Sequence, residues 1–252
     1  MMKVLAVDGG RVYRELLAQA CHEAGFDVVL CQSGQEALAV LREESIDFVC
    51  ASMYLNDMSA IELALKIRRT GGYLYTPIAL ITSEYDQTIL EEALAAGITD
   101  IFHKDELDLL VIYLQRFGDR YAPVEGRVLY MEDSLSQQKA ITAILEEIGL
   151  AVDCETDLGG AWKAFKEREY DLVLADVVLE GNISGIKLVN NIRRFPGEKG
   201  NIPILAISAF DDISRKIELL NRGANDYISK PVIPEELQAR VRGLVHHFRR
   251  VP

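Results

Sequence analysis

Along the chain, apolar runs of four or five residues alternate with longer stretches in which apolar positions return every three or four residues. The short runs fit strands buried on both faces and the longer ones fit amphipathic helices. Their alternation predicts βα units that build parallel sheets covered by helices on both sides. In the first half the strand candidates are KVLAV (3–7), DVVLC (27–31), DFVCA (47–51), PIALI (77–81) and DIFH (100–103). In the second half they are RVLYM (127–131), AVDCE (151–155), DLVLA (171–175), PILAI (203–207) and DYIS (226–229).

The two sets share order and spacing. Asp47 and Asp171 are 124 residues apart, while Pro77 and Pro203, like Lys104 and Lys230, are 126 apart. So steady an interval points to an internal duplication. Between the copies, FGDRYAPVEG (117–126) interrupts both periodicities with glycine, proline and charge, which predicts a linker. The expectation is an α/β domain over residues 1–120 and a second over 127–250, each with one five-stranded parallel sheet.

Composition narrows the function classes. The 252 residues are 49% hydrophobic and 26% charged, as in ordinary globular domains, and the net charge of −12 argues against a direct nucleic-acid partner. No run approaches the about 18 apolar residues of a membrane span, and Met1 and Met2 lead directly into the first strand without a basic and apolar leader. The expected location is cytoplasmic, without a membrane partner. Cys21, Cys31, Cys50 and Cys154 are far apart with no CxxC pair, so they read as reduced packing residues; the four histidines show no ligand-like spacing. The surfaces of the halves differ, with 10 Lys/Arg against 19 Asp/Glu over residues 1–120 and 17 against 20 over 121–252.

In open α/β sheets, ligands gather at the carboxyl ends of the strands. There the second half carries Glu132 and Asp133 after its first strand, Asp176 after its third, Ser208 after its fourth, and Lys230 with Pro231 after its fifth. Any one of these alone reads as a helix cap or a solvated charge. Together, three carboxylates, a hydroxyl and an ammonium form a chemical set. Acids at one mouth repel each other unless neutralised, and all-oxygen ligation suits Mg²⁺.

The segments MEDS (131–134), LVLADVVLEGNISG (172–185), PILAISA (203–209) and GANDYISKP (223–231) closely resemble the receiver domain of two-component response regulators, over almost the whole second half. The resemblance implies a flavodoxin-like (βα)5 fold in which Asp176 accepts a phosphoryl group from a phosphohistidine on a histidine kinase or phosphotransfer protein. It implies that Glu132, Asp133, Asp176 and the backbone carbonyl of Val178 hold Mg²⁺. Lys230 would pair with one phosphoryl oxygen and Ser208 with another, Ala209 would admit the group, and Tyr227 would be the switching aromatic. An extra residue between Asp176 and Gly185 departs from the family's usual proline turn. The apolar Val178 and Phe210, two residues beyond Asp176 and Ser208, imply slow autodephosphorylation.

The first half aligns as VDGG (7–10), CASMYLNDMSA (50–60), LITSE (80–84) and IFHKD (101–105), a degenerate copy. Ser52 stands in the acceptor position and cannot form an acyl phosphate, Gly9 removes a metal ligand, and Ile101 replaces the switch aromatic. Asp8, Thr82 and Lys104 remain. Asp57, five residues beyond Ser52, is poorly placed as a substitute acceptor. Such a copy has a packing role by default, or binds a partner, a small anion near Lys104, or the second domain.

Residues 213–245 resemble the dimer face of winged-helix regulators of the OmpR/PhoB type. Ile217 and Leu220 match its apolar patch; Lys216 with Glu236 and Asp226 with Arg240 match its intersubunit ion pairs, which implies a homodimer. The first half has Leu90 where Lys216 lies in the second. The expected function is a two-component response regulator that is not itself an enzyme. The alternative is a regulatory receiver pair belonging to a larger response regulator with a catalytic output domain such as a diguanylate cyclase.

Overall fold

The computed structural model describes residues 2–84, 86–177, 184–209 and 213–250. Its contacts divide the chain into two units, Met1–Arg120 and Tyr121–Pro252.

In the first unit, strands β1 (Lys3–Val7), β2 (Asp27–Cys31), β3 (Phe48–Ser52), β4 (Ile78–Thr82) and β5 (Asp100–His103) alternate with helices α1 (Arg11–Glu23), α2 (Gly34–Glu43), α3 (Ala60–Arg69), α4 (Gln87–Ala95) and α5 (Leu107–Tyr121). All strands pair in parallel in the order β2-β1-β3-β4-β5. The second unit repeats this with β6 (Gly126–Met131), β7 (Leu150–Glu155), β8 (Leu172–Asp176), β9 (Ile204–Ser208) and β10 (Asp226–Ser229), in the order β7-β6-β8-β9-β10. Its helices are α6 (Leu135–Glu147), α7 (Leu158–Glu167), α8 (Ser184–Arg193), α9 (Ile213–Asn221) and α10 (Pro234–Arg250), with a 3₁₀ turn at Glu198–Asn201. These are two flavodoxin-like receiver folds, as expected.

Alternation along the strands feeds two apolar layers in each unit. In the first, Leu5, Val7, Val49, Ala51 and Leu80 face α2 and α3, while Val4, Ala6, Phe48, Cys50 and Ile81 meet Leu17 and Cys21 of α1 and Leu110, Leu114 and Phe117 of α5. β3, β4, β8 and β9 are buried along their whole length, which explains why they read as continuous apolar runs. The four cysteines are free thiols. Among the described residues no helix is long and apolar enough to cross a membrane.

Several strand boundaries and the linker differ from the sequence reading, with β6 and β7 each beginning one residue earlier than expected. β3, β4, β8 and β9 each begin one residue later than expected and run one residue further, so Ser52, Thr82, Asp176 and Ser208 are the last residues of their strands. Pro77 and Pro203 have no N–H to give a ladder and donate nothing; their carbonyls instead accept from Val49 and Val173, 2.9 Å away in each case. The expected linker at 117–126 is also shorter, because α5 continues to Tyr121. Phe117 is buried against Phe48 and Phe26, with ring centroids 5.0 and 6.3 Å apart, and this packing carries the helix through Gly118.

The amino ends of both sheets are stitched alike. Asp47 accepts the Lys3 N–H at 2.7 Å, and Asp171 accepts the Arg127 N–H at 2.8 Å. Arg68 of α3 donates to the carbonyls of Tyr73, Thr76 and Gly97, and Arg193 of α8 donates to those of Gly200, Ile202 and Gly223. Gly97 (φ 89°) and Gly223 (φ 101°) turn the chain there in left-handed conformations that disfavour side chains.

Candidate functional site

In the second unit, parallel register brings the predicted residues to one end of the sheet. Met131 pairs with Ala175, Asp176 with Ile207 and Ser208 with Ser229, so Glu132, Asp176, Ser208 and Lys230 close four adjacent strands. Glu132, Asp176 and Ser208 are buried, with 0%, 4% and 1% exposure, while Asp133 is half-buried.

Lys230 ties the acids together. Its ammonium donates to Asp176 Oδ2 at 2.6 Å and to Glu132 Oε2 at 3.1 Å. Burial alone would lower the Lys230 pKa, but the two carboxylate hydrogen bonds outweigh it and hold the group above its ordinary value. For Glu132 burial is the largest influence and raises its pKa, the Asp176 charge adds to that, and the contacts from Lys230 and the Ser134 N–H only partly oppose it.

Sequence reading missed two supports of Glu132. Tyr130 is fully buried and donates its hydroxyl to Glu132 Oε2 at 3.1 Å. Gln138, one turn into α6, donates to the Glu132 main-chain carbonyl at 2.6 Å. Tyr130 and Glu132 lie two apart near the end of β6, a spacing that puts them on one face and was readable. The Gln138 contact depends on how α6 docks. A third constraint comes from Gly185, where a Cβ would lie 2.1 Å from the Asp176 carbonyl oxygen. Helix α8 therefore begins against the backbone of Asp176.

Not every predicted residue is brought into contact. Among the described residues, no three His, Cys, Asp or Glu side chains are gathered closely enough to hold a metal ion, and the Lys230 ammonium bridges two of the predicted ligands. Val178 and Phe210 lie outside the described residues. Tyr227 is half-buried beside Val177, Ile186, Ala206 and Leu219, with the Lys216 ammonium 4.8 Å from its ring centroid. On the predicted dimer face Ile217 and Leu220 are exposed, at 52% and 41%. Arg240 reaches both Asp226 and Glu236 within the same chain, each at 2.7 Å.

The first unit has the same registers, Ser52 with Ile81 and Thr82 with His103, but different chemistry. Lys104 has one acid beside it, Asp8 Oδ2 at 3.7 Å. Asn56 lies over Gly9, where a Cβ would meet its Oδ1 at 2.5 Å. Arg14 donates to the Asp8 carbonyl at 2.6 Å, the place that Gln138 holds in the second unit. Tyr54 donates to Glu84 at 2.6 Å, tying the loops that follow β3 and β4. Asp57 has a structural task, since its carboxylate accepts the Gly34 and Gln35 N–H groups at the start of α2, at 2.8 and 2.9 Å.

Comparisons with known proteins agree with this architecture. The family model described as the response regulator receiver domain matches residues 4–114 and again 128–242. The chain is 33% identical over 120 residues to response regulator RppA of Synechocystis, 47% of this chain and 50% of that protein. It is 35% identical over 126 residues to response regulator ArlR of Staphylococcus saprophyticus, 50% of this chain and 54% of that protein. It is 36% identical over 126 residues to protein RcaC of Microchaete diplosiphon, 50% of this chain but 19% of RcaC. The chain thus spans about half or less of the length of these relatives. Among solved structures, chemotaxis protein CheY4 of Vibrio cholerae aligns at 30% identity and a TM-score of 0.44, covering 46% of this chain and 98% of CheY4. A probable two-component response regulator/GGDEF domain protein aligns at 23% identity and a TM-score of 0.48, covering 99% of this chain and 100% of that one. With two matches that together take in most of its length, the chain belongs to the response regulator receiver family, as a tandem of two receiver domains.

Proposed function

We propose that the second receiver accepts a phosphoryl group on Asp176 from a phosphohistidine of a histidine kinase or phosphotransfer protein. The observation that carries this reading is the buried contact of Lys230 with Asp176 and Glu132 at the strand ends. An Asp176 oxygen forms the new bond to phosphorus as the phosphorus–nitrogen bond of the donor breaks, and the departing imidazole keeps the electron pair and takes up a proton. Lys230 already holds Asp176, so its charge lies beside the nucleophile when negative charge arrives on the phosphoryl oxygens. Ser208, at the neighbouring strand end, is the hydroxyl to donate to a second phosphoryl oxygen, and Tyr227 on β10 is the aromatic that follows it inward.

The acid set also fits a hard divalent cation such as Mg²⁺, because Glu132, Asp133 and Asp176 offer only oxygen donors. Bound there, the ion would offset carboxylate charge against the incoming phosphoryl group. The second receiver then presents an altered surface around Tyr227. We assign its pairing with a second copy to the exposed Ile217 and Leu220 and to intersubunit pairs of Lys216 with Glu236 and of Asp226 with Arg240.

Intact-mass measurement after treatment with acetyl phosphate and Mg²⁺ tests this. The native chain should gain one phosphoryl group, Ser52→Ala should do the same, and Asp176→Asn should gain none. Labelling of Asp176→Asn at the native level would overturn the assignment. Sedimentation of the labelled chain at tens of micromolar should show a dimer; a monomer there would remove the pairing surface.

A further inference from the structure

The degenerate site of the first receiver is less acidic than that of its twin. In the second unit three carboxylates, Glu132, Asp133 and Asp176, accompany one ammonium, Lys230. In the first, Ser52 and Gly9 remove two of those acids, while Arg14 replaces the neutral Gln138 at the carbonyl of the strand-end acid. At the strand ends one carboxylate, Asp8, is left with two cations, Lys104 and Arg14, and Glu84 in the loop after β4 is the second acid of the site.

The hydrogen bonding is also incomplete. The Lys104 ammonium lies 3.7 Å from Asp8 Oδ2 and 4.3 Å from the Tyr13 ring centroid, and it makes no hydrogen bond of ordinary length among the described residues. Its side chain is 35% exposed. Ser52 is 1% exposed, and its hydroxyl is buried without a hydrogen-bond partner. Its counterpart Asp176 places a carboxylate oxygen 2.6 Å from Lys230. Serine withdraws that carboxylate and leaves a donor in its stead. The adjacent strand ends in the buried Thr82, whose oxygen accepts the Glu84 N–H at 3.0 Å and whose proton remains to be given.

We infer that the first receiver binds a small free oxyanion, of the phosphate or carboxylate class, between Lys104, Ser52 and Thr82. The ligand supplies without a covalent bond the negative oxygens that Asp176 supplies by its side chain in the second unit. Charge-assisted donation from Lys104 is the main attraction, and the two hydroxyls answer the remaining oxygens. Glu84 is the opposing charge nearby. One of its oxygens is taken by Tyr54, and the other is buried without a partner. A hydrogen phosphate carries a proton that can satisfy such an oxygen, whereas acetate does not, so phosphate is the expected tighter ligand.

Titration of the full ¹⁵N-labelled chain with sodium phosphate, with sodium acetate and with sodium chloride at matched ionic strength tests the site by the amide signals of Ser52, Thr82 and Lys104. Phosphate should move all three along one saturable curve that chloride does not reproduce, and Asp176→Asn should leave that curve unchanged. Acetate binding as tightly as phosphate would keep the site and assign it a carboxylate. Lys104→Met should weaken binding about tenfold or more, the loss expected for one charge-assisted hydrogen bond. Ser52→Asp, which tethers a carboxylate in the same place, should also abolish it. Linear shifts matched by chloride, or an unchanged curve in Lys104→Met, would overturn the inference.

Discussion

Lys104 and Lys230 follow the same strand of the same fold, yet their surroundings have diverged. Lys230 is held at 2.6 and 3.1 Å by two buried acids, whereas Lys104 stands 3.7 Å from one. Both are retained after the last strand, so what separates the sites is the partner set. An ammonium among three carboxylates is a neutraliser that a divalent cation can assist; an ammonium with one carboxylate and a neighbouring guanidinium is a receptor for negative charge. One backbone therefore supports opposite electrostatic tasks after a few substitutions at strand ends.

The most severe way to break this comparison is to remove each lysine. Lys230→Ala leaves Glu132 and Asp176 buried together without their cation and should cost about 3–5 kcal/mol at neutral pH, read from urea midpoints. Lys104→Ala removes a longer, partly exposed pair and should cost about 0–1 kcal/mol. Equal losses would mean that the two sites are electrostatically alike.

A smaller effect is expected where α8 meets Asp176. Gly185→Ala places a methyl group against the Asp176 carbonyl and should cost about 1–3 kcal/mol by overpacking, with slower acetyl phosphate labelling. The first unit already has Ala60 at the equivalent helix start, fully buried. A neutral Gly185→Ala would show that both units seat this helix in the same way.

The smallest effect sharpens the comparison through pH. Burial raises the Glu132 pKa, so ionising it opposes folding; its contribution is full below the ordinary carboxylate pKa of about 4.3 and is lost as pH rises through the raised value. Glu132→Gln should therefore raise the Tm at neutral pH, in the absence of divalent ions, and the gain should vanish near pH 4. A gain that grows on acidification would reverse the sign assigned to this group.

Much of this is legible in the sequence. The duplicated strand pattern fixes which residues end neighbouring strands, and strand ends are where Glu132, Asp176, Ser208 and Lys230 meet. Contacts that depend on packing between elements were not legible: Gln138 reaches Glu132 only because α6 docks beside β6, and α5 runs through Gly118 only because Phe117 packs on Phe48. The ammonium that sits between the acids was not legible either. Carboxylates at one mouth attract the nearest cation, and in the second unit that cation is the chain's own Lys230. Tyr130 was readable by its spacing from Glu132, but a buried tyrosine in a strand passes for packing until its hydroxyl is seen to hold an acid.

The stitches at the amino ends, Asp47 and Asp171 with Arg68 and Arg193, have a consequence for how such proteins change over time. They secure each sheet at the margin remote from the carboxyl ends of the strands and draw on none of the residues proposed for phosphotransfer. A copy freed from phosphotransfer can therefore accumulate substitutions at its working margin while its body stays assembled. Duplication followed by drift at one margin is a route by which a covalent signalling module can become a sensor without passing through an unfolded ancestor.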